Sequence, residues 1–231
     1  MKFAIIAAGE GSRLAQEGIT TPKPLIEIQG VPMIERLVKI FAQNGADSIC
    51  IIINSQQPET HKFLLWLQKD YQIEIVLKDT PSSMHSLHML SPYLKGEKFC
   101  LTTVDTLFRE NEFKEYIRQF NNCEESGLMA VTDYIDDEKP LYVECDERLR
   151  ITAFRDAPGS DVKYISGGIY GLPPQALDIL EKCIEEGQQR MRNFQRRLVA
   201  EGVVLNACPF GKIIDIDHAE DIAKAEIFLS E

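Results

Sequence analysis

The sequence predicts an α/β fold with a mostly parallel sheet between two layers of helices, and two observations predict it. Short apolar runs rich in β-branched residues alternate with helical patterns throughout residues 1–132. Strands separated by helices of roughly 10–15 residues are typical of strand–helix–strand units, whose strands pair in parallel. We therefore predict a Rossmann-like three-layer αβα sandwich with a mixed, mostly parallel sheet, to which a small β-hairpin is added.

The first 132 residues supply the predicted parallel part of the sheet. Buried strands are expected at residues 2–8, 48–54, 73–77, 98–103 and 128–132, and helices at residues 32–43, 59–69, 84–90 and 110–120. Pro32 follows a Gly30-Val31 turn, and Pro58-Glu59 begins the next helix with an acidic first turn. Both patterns are typical of helix starts. Strands and helices thus alternate in the order that parallel pairing requires.

Shorter elements follow residue 133. The pattern predicts hairpin strands at 142–145 and 151–154, a strand at 164–171, a helix at 174–186, strands at 203–208 and 213–217, and a closing helix at 219–229. The basic run at 189–197 is most simply a solvated helix face, and Trp66, with Phe63 and Leu67 at helical spacing, is predicted to lie in the core. No repeat or linker divides the sequence, so a single domain over residues 1–231 is expected.

Composition narrows the class of protein. The formal net charge of -11 at pH 7 disfavours nucleic acid or an anionic membrane as a partner, because both require a basic face. No apolar run reaches the roughly 18 residues of a membrane span, and the apolar start of the chain is too short for a signal peptide. The six cysteines lie far apart without a C-x-x-C pair, which favours reduced thiols over disulfides or zinc. We expect a cytoplasmic protein whose anionic ligands are small.

A glycine-containing loop directly after the first predicted strand is the first candidate site. It reads Ala7-Ala8-Gly9-Glu10-Gly11-Ser12-Arg13-Leu14. Glycines allow backbone N–H groups to approach a polyphosphate closely, and the planar fork of Arg13 can meet phosphate oxygens. The loop is neither a G-x-x-x-x-G-K-[ST] nor a G-x-G-x-x-G motif, because Leu14 occupies the last glycine position. A tight turn between a strand and a helix would use the same glycines, so the loop alone leaves both interpretations open.

A lysine between two prolines is the second candidate, in the run Thr21-Pro22-Lys23-Pro24-Leu25. The prolines fix their own φ and bias the preceding residues toward extended conformations, so Lys23 is presented from a stiff support. A cation held in this way can bind a phosphate. Taken in isolation, a surface lysine in a turn explains the same pattern.

Aspartates follow two of the predicted strands. Asp105 ends the run Thr102-Thr103-Val104-Asp105, and Asp217 closes the apolar segment that also contains Asp215. Open α/β sheets bind ligands at the carboxyl ends of their strands. Two carboxylates there could bind Mg²⁺ and leave positions for phosphate oxygens and water. A single aspartate after a strand is more often a helix N-cap, so the pattern gains weight only from its neighbours.

Together these motifs resemble those of the sugar-phosphate nucleotidyltransferases, a family that includes the nucleotide-sugar pyrophosphorylases and the phosphocholine and inositol-phosphate cytidylyltransferases. The resemblance rests on Gly-x-Gly-Ser-Arg-Leu, on Pro-Lys-Pro-Leu, and on the Gly-x-Pro-Met-Ile helix start at residues 30–34. It extends to residues 102–105, to Ser166-Gly167-Gly168-Ile169-Tyr170 and to the acidic segment 215–221. The likeness therefore spans nearly the whole chain.

The resemblance implies a Mg²⁺-dependent enzyme that transfers a nucleoside monophosphate from a nucleoside triphosphate to a small phosphorylated acceptor and releases pyrophosphate. Residues 1–132 would bind the nucleotide and residues 133–231 the acceptor, with no second catalytic domain and with homodimerisation left open. Arg13 and Lys23 would be catalytic. The implied site residues are Ala7, Ala8, Gly9, Gly11, Ser12, Arg13 and Ser86 for the nucleotide, Asp105, Asp217 and Asp215 for the metal, with Asp217 preferred to Asp215, and Tyr142, Arg155 and Gly168 for the acceptor.

Departures from the family pattern bear on the substrates. Arg155-Asp156-Ala157 stands where members that use hexose 1-phosphates carry Glu-Lys-Pro, and Leu141-Tyr142 stands where they have a glycine. Both departures disfavour a hexose. The segment 80–87, where the family reads the base, is closer to the choline- and inositol-phosphate cytidylyltransferases, so CTP or UTP is favoured.

Two other classes of protein remain as alternatives. A catalytically silent nucleotide-binding sensor would keep the fold without the reaction, but the retention of Arg13, Lys23, Asp105 and Asp217 together disfavours it. A NAD-type dinucleotide-binding protein is disfavoured by the missing third glycine, and by Asn44-Gly45 roughly where a ribose-binding acid is expected.

Overall fold

A computed structural model describes residues 1–136, 138–159 and 162–230 of the chain. Its strands are β1 (Lys2–Ala7), β2 (Glu27–Ile28), β3 (Val31–Pro32), β4 (Ile49–Ile53), β5 (Ile73–Leu77), β6 (Phe99–Thr103), β7 (Thr106–Leu107), β8 (Gly127–Thr132), β9 (Tyr142–Cys145), β10 (Ile151–Arg155), β11 (Tyr164–Leu172), β12 (Leu205–Phe210) and β13 (Ile214–Asp215). Its helices are α1 (Ser12–Gln16), α2 (Met33–Gln43), α3 (Pro58–Leu67), α4 (Ser83–Leu94), α5 (Glu110–Asn121), α6 (Ala176–Glu185), α7 (Met191–Ala200) and α8 (Ala219–Ser230).

Within these ranges, nine strands form the central sheet. Seven of them run in the order β10-β9-β11-β6-β1-β4-β5, while β8 pairs with β11 and β12 pairs with β8. Strands β6, β1, β4 and β5 are all parallel, as is the β12–β8 pair, whereas β11 is antiparallel to β6, β8 and β9. The parallel part places the carboxyl ends of β1 and β6 side by side, which positions the loops that follow them.

Helices cover both faces of the sheet. Successive strand residues point to opposite sides, and apolar residues on both sides need to be buried. In β1, Phe3 and Ile5 join an apolar cluster that includes residues of α2, α3 and α5. Ala4 and Ile6 join a second cluster with residues of α4, α6 and α7. The predicted three-layer α/β architecture is confirmed. No helix in the described ranges combines the length and the apolar character needed to cross a membrane.

The predicted strands of residues 1–132 lie where β1, β4, β5, β6 and β8 lie, within one residue at each end. The helix expected at 84–90 is longer, because α4 continues to Leu94 with Pro92 inside it. Leu90 and Leu94 are both fully buried in the cluster against the sheet. Their packing stabilises the last helical turn in spite of the hydrogen bond that proline cannot donate.

The placement of Trp66 in the core is wrong, since this residue is 49% exposed. Leu64 and Leu67 are the buried apolar residues of α3, and at about 100° per residue the Trp66 side chain lies nearly opposite Leu64. The indole packs on Phe63 instead, with ring centroids 5.4 Å apart.

Two later elements also differ from the sequence expectation. Only Ile214–Asp215 of the segment 213–217 is a strand, and it pairs with β7 in a separate two-stranded sheet, not in the central one. The basic run 189–197 contributes to α7, where Phe194 and Leu198 are buried in the core. The run therefore contributes to both faces of an amphipathic helix, with its arginines on the outer face and Met191 and Phe194 on the buried face.

Gly171 in β11 lies where a larger residue does not fit. A Cβ at this position would lie 2.8 Å from Phe120 Cδ2 and 2.8 Å from the Tyr116 hydroxyl, and that hydroxyl donates to the Leu128 carbonyl at 2.7 Å. We expect Gly171→Ala to lower the free energy of unfolding by about 1–3 kcal/mol, the usual cost of overpacking a core. Denaturant unfolding measures the change, with Gly9→Ala as the control.

The control is matched because a Cβ at Gly9 would meet nothing within 4 Å. Its unfolding free energy should stay within about 0.5 kcal/mol of the unmodified protein. Equal stability of the two variants would show that the core around Tyr116 relaxes to admit a methyl group.

Candidate active site

Two cavities adjoin each other at the carboxyl ends of the parallel strands. The first has a volume of about 710 Å³ and lies over the ends of β1 and β6. Its walls come from the loop after β1, from Lys23, from the start of α4 and from Asp217; the lining residues are Ile6, Ala8, Gly9, Glu10, Gly11, Ser12, Arg13, Leu14, Lys23, Thr80, Pro81, Ser82, Ser83, Ser86, Thr103, Val104, Asp105 and Asp217. This cavity gathers most of the residues that the resemblance assigns to the nucleotide.

The loop after β1 is shaped by Gly11 and anchored by Leu14. Gly11 has a φ of 64°, in the left-handed region that favours glycine, and a Cβ there would lie 3.4 Å from Lys23 Cβ. Leu14 is buried in a small apolar cluster with residues of β2 and α8. The anchored turn of α1 leaves the Arg13 side chain half-exposed at the cavity.

Lys23 connects two carboxylates below this loop. Lys23 follows Pro22 and begins a single 3₁₀ turn, Lys23–Leu25. Its side chain is 9% exposed. Its Nζ lies 2.6 Å from Asp105 Oδ2 and 2.8 Å from Asp217 Oδ1. Burial lowers the pKa of Lys23, but the attraction of Asp105 and Asp217 outweighs burial and holds the pKa above its usual range. The ammonium is therefore charged at neutral pH.

Asp217 also binds Arg13, with Oδ2 2.7 Å from Arg13 Nη1. Partial burial raises the pKa of Asp217, but Lys23 and then Arg13 outweigh this effect, so the pKa lies below its ordinary value. Asp105 follows β6, and its carbonyl accepts the Ile216 N–H at 3.1 Å. This backbone bond holds Asp217 beside Asp105 although more than a hundred residues separate them.

Asp215 has a different environment from Asp217. It is exposed to the second cavity and does not line the first. Closely surrounding protein atoms desolvate its carboxyl, and the neighbouring Asp105 carboxylate repels its charge, so the pKa of Asp215 is raised above its ordinary value. Within the described ranges, no ion pair neutralises Asp215.

The donor set suits a cation that shares its ligands with a substrate. In the ranges that the structure describes, no three His, Cys, Asp or Glu side chains are grouped to hold a metal ion by themselves. Asp105 and Asp217 do lie on either side of one ammonium group, at oxygen distances typical of charge-assisted bonds. Mg²⁺ is commonly bound by one or two carboxylates together with substrate phosphates and water. The pair therefore fits Mg²⁺ in the presence of a phosphate ligand.

The second cavity has a volume of about 740 Å³ and shares Arg13 and Asp217 with the first. It lies between the loop after β8, the start of β11 and the segment around β13. Its lining includes Tyr134, Ile135, Asp136, Glu138, Ile165, Ser166, Gly167, Ile213, Asp215 and His218. A ligand here would lie directly beside a ligand of the first cavity.

The structure leaves all three implied acceptor residues outside both cavities. Tyr142 and Arg155 are paired across the β9–β10 hairpin, and neither residue lines a cavity. The Arg155 guanidinium binds Glu144, with Nε 3.1 Å from Oε1. Its charge is thus engaged on its own hairpin, as is common for cross-strand pairs.

Gly168 and the nucleotide candidate Ala7 serve packing, whereas Ser86 is buried and also lines the first cavity. Gly168 has a φ of 74°, and a Cβ there would lie 2.9 Å from Thr106 Oγ1. Ala7 is buried at the end of β1. Ser86 is also buried but lines the first cavity, where its hydroxyl lies 2.6 Å from Thr80 Oγ1. The site therefore brings together the loop, Lys23 and the aspartates, and leaves Ala7 in the core.

Sequence reasoning missed the residues that hold the Asp217 segment. Asp221 is 8% exposed and accepts the backbone N–H groups of Asp217 at 3.1 Å and His218 at 2.8 Å. Glu17 binds His218 from the end of α1. The position of Asp221 in the first turn of a predicted helix was a usable capping signal, because a carboxylate there can accept the backbone N–H that precedes the helix. No local pattern marks Glu17.

Comparisons with known proteins assign the chain to a family. A family model described as nucleotidyl transferase matches residues 2–229. The chain is 24% identical over 230 residues to the bifunctional protein GlmU of Methanococcus maripaludis, and the alignment covers 97% of this chain and 53% of that protein. It is 26% identical over 233 residues to mannose-1-phosphate guanylyltransferase 1 of Arabidopsis thaliana, and that alignment covers 96% of this chain and 62% of the relative. The chain thus spans about half to three-fifths of the length of these relatives.

A solved structure supports the same relationship at the level of the fold. The inositol-1-phosphate CTP transferase from T. maritima superposes with a TM-score of 0.84 at 19% identity, covering 99% of this chain and 94% of that chain. Since the family model matches nearly every residue, the protein belongs to the nucleotidyl transferase family.

Proposed function

We propose that the protein transfers a nucleoside monophosphate from a nucleoside triphosphate to a small phosphorylated acceptor, with release of pyrophosphate and with a requirement for Mg²⁺. The proposal rests on one observation: the two cavities meet at Arg13 and Asp217, and the Lys23–Asp105 ion pair lines the first of them. A transfer between two substrates needs them side by side with charged groups at the junction. The match to the family leaves the dinucleotide-binding alternative without support.

The chemistry follows from the charges at this junction. The triphosphate would lie in the first cavity, with the loop N–H groups and Arg13 against its oxygens. Lys23 would face the reacting phosphates and offset the negative charge that grows during an in-line attack on the α-phosphorus. Mg²⁺ bound by Asp105 and Asp217 would neutralise further phosphate charge. The acceptor phosphate is already ionised at neutral pH, so the chain need not supply a general base.

The acceptor would occupy the second cavity. Its phosphate would approach Arg13, and the rest of the molecule would lie among Tyr134, Ser166 and Asp215. The mannose 1-phosphate and inositol 1-phosphate named for the relatives fit this general class of acceptor. Residues 155–157 lack the lysine of the family's Glu-Lys-Pro, which favours a polyol phosphate or a phosphocholine-like acceptor. The segment 80–87 favours CTP or UTP as the donor. Tyr142, Arg155 and Gly168 would contribute only by shaping the neighbouring hairpin and strand.

A reaction of this kind places the protein where nucleoside triphosphates are available. We therefore propose a cytoplasmic location, which suits the free thiols of Cys50, Cys100 and Cys183, all buried within the described core.

Pyrophosphate release tests the proposal. CTP, UTP, GTP, ATP and dTTP are each incubated with phosphocholine, aminoethylphosphonate, inositol phosphate and several hexose 1-phosphates, with Mg²⁺ and with EDTA. We expect turnover of at least one pair, with a preference for CTP or UTP, and its complete loss in EDTA. Silence across the grid, with a nucleotide still bound in calorimetry, would instead support the nucleotide-binding sensor.

A further inference from the structure

Glu17 links two segments of the site that are about two hundred residues apart. It directly follows α1, and its N–H donates to the Arg13 carbonyl at 3.1 Å. Its carboxylate reaches the other segment, with Oε1 2.6 Å from His218 Nδ1 and Oε2 accepting the Ala219 N–H at 2.6 Å. One side chain therefore spans from the helix of Arg13 to the start of α8.

The partner segment is the one that carries Asp217. The first N–H groups of a helix such as α8 have no partner within the helix. Glu17 accepts one such group, and Asp221 accepts the N–H groups of Asp217 and His218 just before it. Two carboxylates thus hold three consecutive backbone N–H groups, from residues 217 to 219. Negative charge at this end of α8 also interacts favourably with the helix dipole.

The same two segments meet again at the reactive end of the site, where Arg13 Nη1 lies 2.7 Å from Asp217 Oδ2. Asp217 is 42% exposed, so packing alone does not fix its carboxylate. The Ile216–Asp105 backbone bond restrains it on one side. Lys23 and Arg13 bind the carboxylate itself. The described contacts that hold its backbone segment come from Asp221 within the segment and from Glu17 across the site.

We propose that Glu17 is a positioning residue that fixes the Asp217 carboxylate relative to Arg13 and Asp105, and so sets the affinity of this carboxylate pair for its divalent cation. Without Glu17, the segment before α8 keeps its local cap at Asp221, but its described polar connection to α1 is reduced to the Arg13–Asp217 ion pair. The Asp217 carboxylate then samples orientations in which it no longer faces Asp105. The inference rests on the proposed function for the role of the cation, while the contacts of Glu17 stand independently of it.

Binding of Mn²⁺ as a spectroscopic substitute for Mg²⁺ tests the inference without turnover. The affinity for Mn²⁺ is measured by electron paramagnetic resonance on the full chain, with a non-hydrolysable CTP analogue present. We expect Glu17→Ala to weaken Mn²⁺ binding by roughly 10–100-fold, as is usual when a group that orients a metal ligand is lost. The Mg²⁺ concentration for half-maximal pyrophosphate release should rise by a similar factor.

Two further variants separate positioning from folding. Glu17→Gln keeps an oxygen for the Ala219 N–H and an amide that can donate to a neutral His218 ring, so it should recover most of the affinity. Glu17→Asp retracts the carboxylate by one methylene group and should weaken Mn²⁺ binding even if Glu17→Ala does not fold. Glu185→Ala removes an exposed glutamate on α6 and should bind Mn²⁺ as the unmodified protein does.

The inference is overturned if Glu17→Ala, or Glu17→Asp in its place, binds Mn²⁺ with unchanged affinity while only its unfolding midpoint falls. That result would assign Glu17 a structural role alone. Failure of the proposed function has a different signature, because the unmodified protein would then release no pyrophosphate with any substrate pair.

Discussion

Replacing Lys23 by methionine is expected to lower the rate of pyrophosphate release by about 10²–10³-fold, the range found when one preorganised group that stabilises transition-state charge is removed. The effect should fall mainly on kcat, because Lys23 lies below the junction of the two cavities and not at their entrances. Steady-state kinetics at saturating nucleotide and acceptor measure it. Methionine preserves an unbranched side chain as far as Cε and removes the charged terminal Nζ.

Lys23→Met should also change stability in a way that reports on the carboxylates. Without the ammonium, Asp105 loses the ion pair described for it and faces the Asp217 carboxylate, which keeps only its contact with Arg13. The cost is expected to reach about 3 kcal/mol, the low end for a broken buried ion pair, because Asp217 is 42% exposed. Denaturant unfolding with and without Mg²⁺ separates the causes, since added Mg²⁺ should restore part of the loss.

Lys23→Arg is the matched control for the charge. Its planar guanidinium keeps the charge but does not reproduce a compact point cation between two carboxylates. It should retain stability better than Lys23→Met while recovering little activity. A Lys23→Met protein with undiminished kcat would remove Lys23 from the reaction and leave it as a structural ion pair.

Neutralising either aspartate of the proposed metal pair is expected to lower the rate by about 100-fold or more. Asp105→Asn and Asp217→Asn keep the shape of the side chain but lose its charge, and metal stabilisation of phosphate charge contributes several kcal/mol. Loss of affinity for Mg²⁺ should accompany the loss of rate. The dependence of pyrophosphate release on Mg²⁺ concentration measures both effects.

Asp215→Asn is the informative comparison, because the sequence placed Asp215 among the metal candidates and the structure exposes it to the second cavity alone. We expect this variant to keep its Mg²⁺ requirement and to show a raised KM for the acceptor. If Asp215→Asn instead weakened Mg²⁺ binding more than Asp217→Asn does, the metal would lie at Asp105 and Asp215.

Much of the fold could be predicted because the signals for it are local. Strand β4 is a continuous apolar run and β1 is one after Lys2, as is typical of strands buried on both faces, whereas β5 contains Glu74 and is only partly buried. The segments between the strands are long enough for helices, and parallel strands need crossover connections of this kind. The prediction that Trp66 is buried failed, because α3 has apolar residues on more than one face and the sequence pattern does not indicate which face packs on the sheet.

The candidate site was predictable to the extent that its chemistry lies in short motifs. A lysine between two prolines and a loop with Gly11 at positive φ are recognisable from their neighbours alone. Arg155 shows the limit of this approach. Its residue type suits a phosphate, but Glu144 on the adjacent strand takes its charge, and cross-strand partners depend on register, which the motif does not contain.

By itself the sequence determined the layered α/β architecture, the loop, the cation at Lys23 and the set of aspartates from which a metal pair is drawn. Only the tertiary structure decided that Asp217 rather than Asp215 shares Lys23 with Asp105, that two cavities meet there, and that Glu17 reaches the start of α8. The physical reason is the distance along the chain over which each kind of interaction acts. Periodicity and backbone preference act over a few residues, whereas ion pairs between residues two hundred apart exist only after the core has packed and brought their elements together.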